Sequence, residues 1–322
     1  MIPGSVMLHP EVPVGRVVEL ARLAEEFGYR RVWIPDEGLA TRDVMVTLAA
    51  IASATSRIGL GTGIVNPYSR HPALSAAAIA ALDELSGGRA FLGLGAGGSL
   101  TLDPLGIERR RPLVAVREAI EVARALFEGG TVDYGGETVT LRSATLDHGR
   151  PDIEVWFAGR GPRMLRQAGA LADGVLLEFL YKPRLGAFAD LVREGAAGRP
   201  DPPRLCYATM VVTDPARLDQ VRPHMTYRLV DSPPEVKADL GIDEDATDAI
   251  RRAMADGLEV AGRLIPDEWV DPFVIRGDVD ECATELGDLA ARHGFDEFML
   301  VVADMDDAAA LLADVADVLA AT

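Results

Sequence analysis

Acidic, basic and glycine residues cluster where apolar runs end, and their types bound the chemistry. Asp36-Glu37 follows the run RVWIP (Arg31–Pro35). A carboxylate pair there can orient a ligand or move protons, or it can be a solvated acidic pair. Glu178 ends another run, from Gly174. His71 lies in the loop NPYSRHP and His9 ends the first run, so either imidazole could act as acid or base near neutral pH. His148 and His293 lie in polar, surface-like stretches. Gly159-Arg160-Gly161-Pro162 frees the backbone twice, adds a cation and starts a helix at proline. Such a helix N-terminus can cradle a phosphate; the same residues also suit an ordinary strand-to-helix turn. Gly93–Gly98 reads G-x-G-x-x-G. A dinucleotide fingerprint lies at the first strand–helix turn and opens into a helix. This one belongs to the fourth unit and runs into Leu102-Asp103-Pro104. Its glycines suit either a crowded backbone turn or strand ends left bare for a flat ligand.

Other chemistries are excluded. Only two of the 32 basic residues are lysines, Lys182 and Lys237, and neither sits in a stretch suited to Schiff-base catalysis. No His, Cys or carboxylate pair has metal-ligand spacing, so no metal is expected. No G-x-S-x-G nucleophile elbow occurs. Cys206 and Cys282 lie far apart, which suits a reducing cytoplasm better than a disulfide framework. Acidic residues number 50 and the formal charge is -18. That surface repels phosphate backbones and anionic lipid, so nucleic acid and membranes are not expected partners. No apolar run approaches the roughly 20 residues of a membrane span, and Met1–Pro10 lacks the basic n-region of a signal peptide.

The elements that must position these residues alternate along the chain. Strands are expected at Ser5–His9, Arg31–Pro35, Ile58–Gly63, Ala90–Gly95, Ile153–Ala158, Gly174–Leu180, Leu205–Thr213 and Glu297–Val302. Helical periodicity lies between them, notably over Val44–Ala54, Ala73–Leu85 and Pro112–Phe127, with a last helix at Asp307–Ala320. A hairpin turning at Gly135-Gly136 interrupts the series. Between strands seven and eight, helical segments at Ala246–Leu258 and Val279–Arg292 read as an insertion plus the seventh barrel helix. Eight strand–helix units in 322 residues point to a TIM (β/α)8 barrel, whose site forms at the C-terminal strand ends. With aromatics at 6%, the core is expected to be Ala, Val and Leu.

At this point the residues resemble a known family. GLGTGIVNPYSRHPALSAAAIAALDELSGGRAFLGLGAGG (Gly59–Gly98) is similar to the luciferase-like oxidoreductases, in particular the coenzyme F420-dependent methylene-tetrahydromethanopterin reductase-like branch. AEEFGYRRVWIPDE, AGRGPRMLRQAGALADGVLL and GFDEFMLVV support it. The resemblance implies a single barrel over 1–322 with an insertion at 227–276, a homodimer, and hydride transfer between F420 and a small organic substrate. FMN is the alternative coenzyme, and a non-catalytic flavin binder the alternative role. It places Asp36 beside the coenzyme ring and a cis peptide at Gly63-Ile64 behind it. Asn66 falls on the ring or its side chain, Gly97 and Gly98 along the coenzyme's middle, and Gly159, Arg160, Gly161 and Pro162 on its phosphate. The reductases also carry acidic residues near the end of strand one and after strand four. Here those regions read Val6-Met7-Leu8-His9 and Gly98, which leaves His9, Glu37, His71 or Glu178 as proton donor.

Overall fold

The computed structural model describes residues 2–322. β1 (Gly4–Met7) leads to α1 (Val14–Glu26), β2 (Arg31–Ile34) to α2 (Val44–Ala54), and β3 (Gly59–Thr62) to α3 (Pro72–Ser86). β4 (Ala90–Gly95) leads to α4 (Pro112–Phe127), β5 (Glu154–Ala158) to α5 (Pro162–Leu171), and β6 (Gly174–Glu178) to α6 (Leu185–Gly195). β7 (Arg204–Thr209) leads, after a long excursion, to α7 (Val279–His293), and β8 (Glu297–Val301) to α8 (Ala308–Ala321). Each strand pairs in parallel with its neighbour in sequence, and β8 closes on β1 from Gly4↔Phe298 to Met7↔Val301. The result is the TIM barrel expected. Local signals set the helix ends. Asp43 caps α2 by accepting from the Met45 and Val46 amides. Asp278 and Glu281 form a capping box on α7, which stops at left-handed Gly294.

The seventh strand is shorter than the apolar run suggests. It ends at Thr209, whose hydroxyl donates to the Phe273 carbonyl at 2.5 Å. Val211–Val212 then pairs with Ile275–Arg276, outside the barrel. Between them lie helices Leu218–Val230, Pro234–Asp239, Glu244–Ala253, Leu258–Gly262 and Asp267–Val270. The single helix expected over Ala246–Leu258 is broken because Gly257 takes φ 117°, a conformation that side-chain-bearing residues avoid. The hairpin pairs Thr131–Gly135 with Thr140–Thr145, and its turn, Glu137-Thr138, lies two residues later than expected. There the Gly136 amide donates to Val139, and Glu118 accepts from the amides of Glu137, Thr138 and Val139.

Ala, Val and Leu do fill the layer between strands and helices, but the barrel interior gathers aromatic rings among Met7, Leu176, Cys206 and Met299. Trp33, Phe91 and Trp156 meet there with ring centroids 4.3 and 5.2 Å apart. Glycines make the room: a Cβ on Gly61 would strike Phe91, and one on Gly174 would strike Trp156. Beneath the rings, at the N-terminal strand ends, Arg31 pairs with Glu297 and with Glu154 (3.0 Å), and Arg204 also reaches Glu154 (2.5 Å). Ser5 donates to Glu297. Ring layer and ion cluster together plug the barrel below its mouth.

Candidate active site

The mouth opens at the C-terminal strand ends, where β3 carries a bulge. Gly61 pairs with Phe91 and Val65 with Leu94, so β3 spends four residues where β4 spends three. Within the bulge the Gly63–Ile64 peptide is cis, in agreement with the resemblance. Ile64 is half-buried, and its side chain lies over Gly95, where a Cβ would sit 3.0 Å from Ile64 Cδ1. The Asp36 amide donates to the Ile64 carbonyl at 3.3 Å, which brings Asp36 to the bulge. Burial pushes the Asp36 carboxyl up, against the opposing Gly38 amide and Arg70. Arg70 is itself paired with Asp43 at 3.1 Å.

The glycine run after β4 serves two purposes. Gly93 and Gly95 yield space to Thr62, Trp33 and Ile64 of the protein itself, so the crowded-backbone reading holds for them. Gly97 is left-handed (φ 69°) against Asn66, and its carbonyl accepts from Arg109 at 2.8 Å. Gly98 is exposed with nothing within 4 Å of a Cβ, and it opens a one-turn helix, Ser99–Leu102, that the sequence reading did not include. Asn66 is buried and largely committed. Its Oδ1 accepts from the Tyr68 and Ser69 amides and its Nδ2 donates to Ser69 Oγ, which leaves one amide hydrogen for a ligand.

After β5, Gly161 is the N-cap of α5 and Pro162 its first residue, with no side chain capping the helix. The space over Gly161 is open, and Arg160 is exposed beside it. β6 ends at half-buried Glu178, and Phe179 then turns left-handed at φ 53°, a costly conformation for an aromatic residue. The expected proton donors separate. Glu178 ends β6 and His9 lies two residues past β1, both on the C-terminal side of the barrel. His71 is exposed and caps α3, its Nδ1 accepting from the Ala73 amide at 3.2 Å. Glu37 begins the turn Gly38–Ala40, and no hydrogen bond joins its side chain to the other candidates among the described residues.

Two mouth residues escaped the sequence reading. Helix Leu218–Val230 carries His224 and Arg228 four residues apart, hence on one face. His224 Nε2 lies 3.0 Å from the Ala303 carbonyl just past β8. A carbonyl only accepts, so Nε2 carries the hydrogen and Nδ1 is left as an acceptor. His224 is exposed at its outer edge, while the chain packed around its ring desolvates it and lowers its pKa; the Ala303 bond opposes this and nearby His9 adds to it. Arg228 stacks over Phe179 at 5.4 Å and reaches the Glu178 carbonyl at 3.4 Å. The only sequence signal was the spacing in RPHMTYR, inside a helix interrupted by Pro223.

An eight-stranded parallel barrel with a bulged third strand is a TIM barrel, the class that builds its sites at the C-terminal strand ends. More specifically, the chain belongs to the luciferase-like monooxygenase family, whose sequence model matches residues 1–297. It is 34% identical over 289 residues to the 5,10-methylenetetrahydromethanopterin reductase of Methanolobus tindarius, covering 87% of this chain and 88% of that protein. It is 33% identical to the enzyme of the same name from Archaeoglobus fulgidus, over 87% and 88% of the two chains. Among solved structures, the coenzyme F420-dependent tetrahydromethanopterin reductase of Methanopyrus kandleri superposes with a TM-score of 0.88 at 28% identity, over 97% of each chain.

Proposed function

We propose that this protein is a coenzyme F420-dependent oxidoreductase that passes a hydride between the deazaflavin and a small organic substrate. The carrying observation is the bulge of β3, which sets half-buried Ile64 as a shelf beside Asp36, in a chain one third identical to reductases of that type. The residues present fit such a coenzyme. A long anionic molecule needs a bare track and a cationic end. Gly98 and Gly161 meet nothing within 4 Å, and the α5 amides lie beside Arg160 without a side-chain cap. When bound, F420 supplies the hydride chemistry. The chain's part is to bind and orient. Ile64 would support the ring, Gly97 and Gly98 would let the middle pass, and Gly159 to Pro162 would hold the phosphate. Glu178, His9 and His224 Nδ1 are the groups at the mouth able to hold or move a proton at the substrate.

Titration of the purified protein with F420 and, separately, with FMN tests this reading. Saturable F420 binding and F420-linked reduction or oxidation of a substrate are expected. Binding of FMN alone would instead make it a flavin enzyme, and tight coenzyme binding without turnover of any substrate or redox dye would make it a binder.

The same reading includes a homodimer in a reducing cytoplasm. Cys206 and Cys282 are both buried and unpaired. The outer faces of α2 and α3 expose Val46 and Leu74 at 62% each and Leu85 at 53%, an apolar surface suited to a self-complementary interface. Light scattering should give twice the 34.4 kDa chain mass, and Val46→Glu with Leu74→Glu should halve it. A concentration-independent monomer would remove this part.

A further inference from the structure

Arg228 is a half-buried cation with too few partners. Its Nε is shielded from solvent and has no hydrogen-bond partner, and its only hydrogen bond is the long one to the Glu178 carbonyl. No carboxylate lies within ion-pair distance of it among the described residues. Glu178 and Asp231 ease its charge from a distance, while Arg160 opposes it. Burial, then Arg160, bring its pKa down to about 9. Arginine keeps its proton at neutral pH, so the guanidinium stays charged where its surroundings disfavour the charge. The site is rigid. Phe179 lies beneath the guanidinium in a left-handed turn, and helix Leu218–Val230 is tied down by Arg217 to Asp307 and Asp314 (both 2.5 Å) and by Lys237 to the Val230 carbonyl (2.7 Å).

We propose that Arg228, with Arg160 across the mouth, is an oxyanion-binding subsite that receives a carboxylate or phosphate of the bound ligand. A guanidinium fork matches either group in bidentate geometry. Its place at the end of β6, reached from the excursion between β7 and β8, makes it a determinant of which ligand enters. It rests on the mouth being the ligand site, and it deepens the F420 reading without needing that coenzyme. The oxyanion could be carried by the coenzyme's tail or by the substrate.

The test is Arg228→Met, which keeps the stem's packing and removes the charge, beside Arg228→Lys, which keeps the charge and loses the fork. Two readouts are taken: thermal stability without ligand, and affinity for inorganic phosphate, glutarate, F420 and the phosphate-free deazaflavin riboside. The methionine variant is expected to melt at or above the wild-type temperature yet to lose at least tenfold affinity for phosphate or glutarate, with lysine between. If F420 weakens tenfold and the riboside is unchanged, the oxyanion is the coenzyme's. If both deazaflavins bind as before while phosphate or glutarate weakens, it is the substrate's. A methionine variant that melts lower with phosphate and glutarate affinity intact would make Arg228 a structural residue and overturn the proposal. The phosphate and glutarate arms do not involve F420, so failure of the coenzyme reading would show separately.

Discussion

Gly161→Asp is expected to cut F420 affinity at least tenfold, about 1.4 kcal/mol, while the protein folds normally. Gly161 occupies the N-cap of α5, and nothing lies within 4 Å of the added Cβ, so the substitution meets no steric barrier. Aspartate is moreover a better N-cap than glycine, because its carboxylate accepts from the free amides of the first turn. Those are the amides proposed for the phosphate. The variant should therefore melt slightly higher and bind more weakly, a combination that general damage to the fold cannot give. Gly161→Ala, which adds a methyl and no charge, should lose far less. Spectral titration reads the affinity and a thermal melt reads the fold. Equal affinity in the aspartate variant would move the phosphate away from this turn.

The largest stability loss is expected at the other end of the barrel. Arg31 is 7% exposed in its side chain and Glu297 1%, and Arg31 also lies 5.0 Å over Trp156. Arg31→Met would keep much of the stem's packing but leave Glu297 without its cation and Glu154 with Arg204 alone. Breaking such a buried pair costs about 3–5 kcal/mol. Adding Glu297→Gln should recover part of the loss, since the stranded charge is then gone. The pH dependence has a definite sign. Burial works against ionisation of Glu154, but Arg31, the Trp156 indole and Arg204 outweigh it and hold the carboxyl low. A lowered carboxyl stabilises the fold above its unfolded value of 4.5 and loses that contribution as pH falls. The wild-type advantage over Arg31→Met should thus be widest near neutrality and shrink in acid. Denaturant melts at several pH values measure it; a variant within about 1 kcal/mol of wild type at pH 7 would show the cluster to be dispensable.

The barrel was legible because its elements are local. Short apolar runs stand between helices with plain stop signals, such as Gly28 after α1 and Gly87 after α3, so most boundaries fall within two residues of those expected. What depends on packing across the barrel was not legible. A low aromatic content gave no hint that two tryptophans would share the interior, because that depends on which glycines face them. The G-x-G-x-x-G run looked like one motif but divides between packing and the mouth. The cis peptide came from resemblance alone. His224 and Arg228 stayed hidden because their helix is barely amphipathic, and what they do depends on where it docks.

The plug of rings and ions has a consequence for traffic. A barrel stoppered from below is a chamber with a single door. Any two molecules that must meet inside it queue through that door, so the one seated deeper has to arrive first and depart last. Steady-state kinetics of an ordered type, with the outer molecule exchanging while the inner one stays, would then follow from architecture and owe nothing to the reactivity of either.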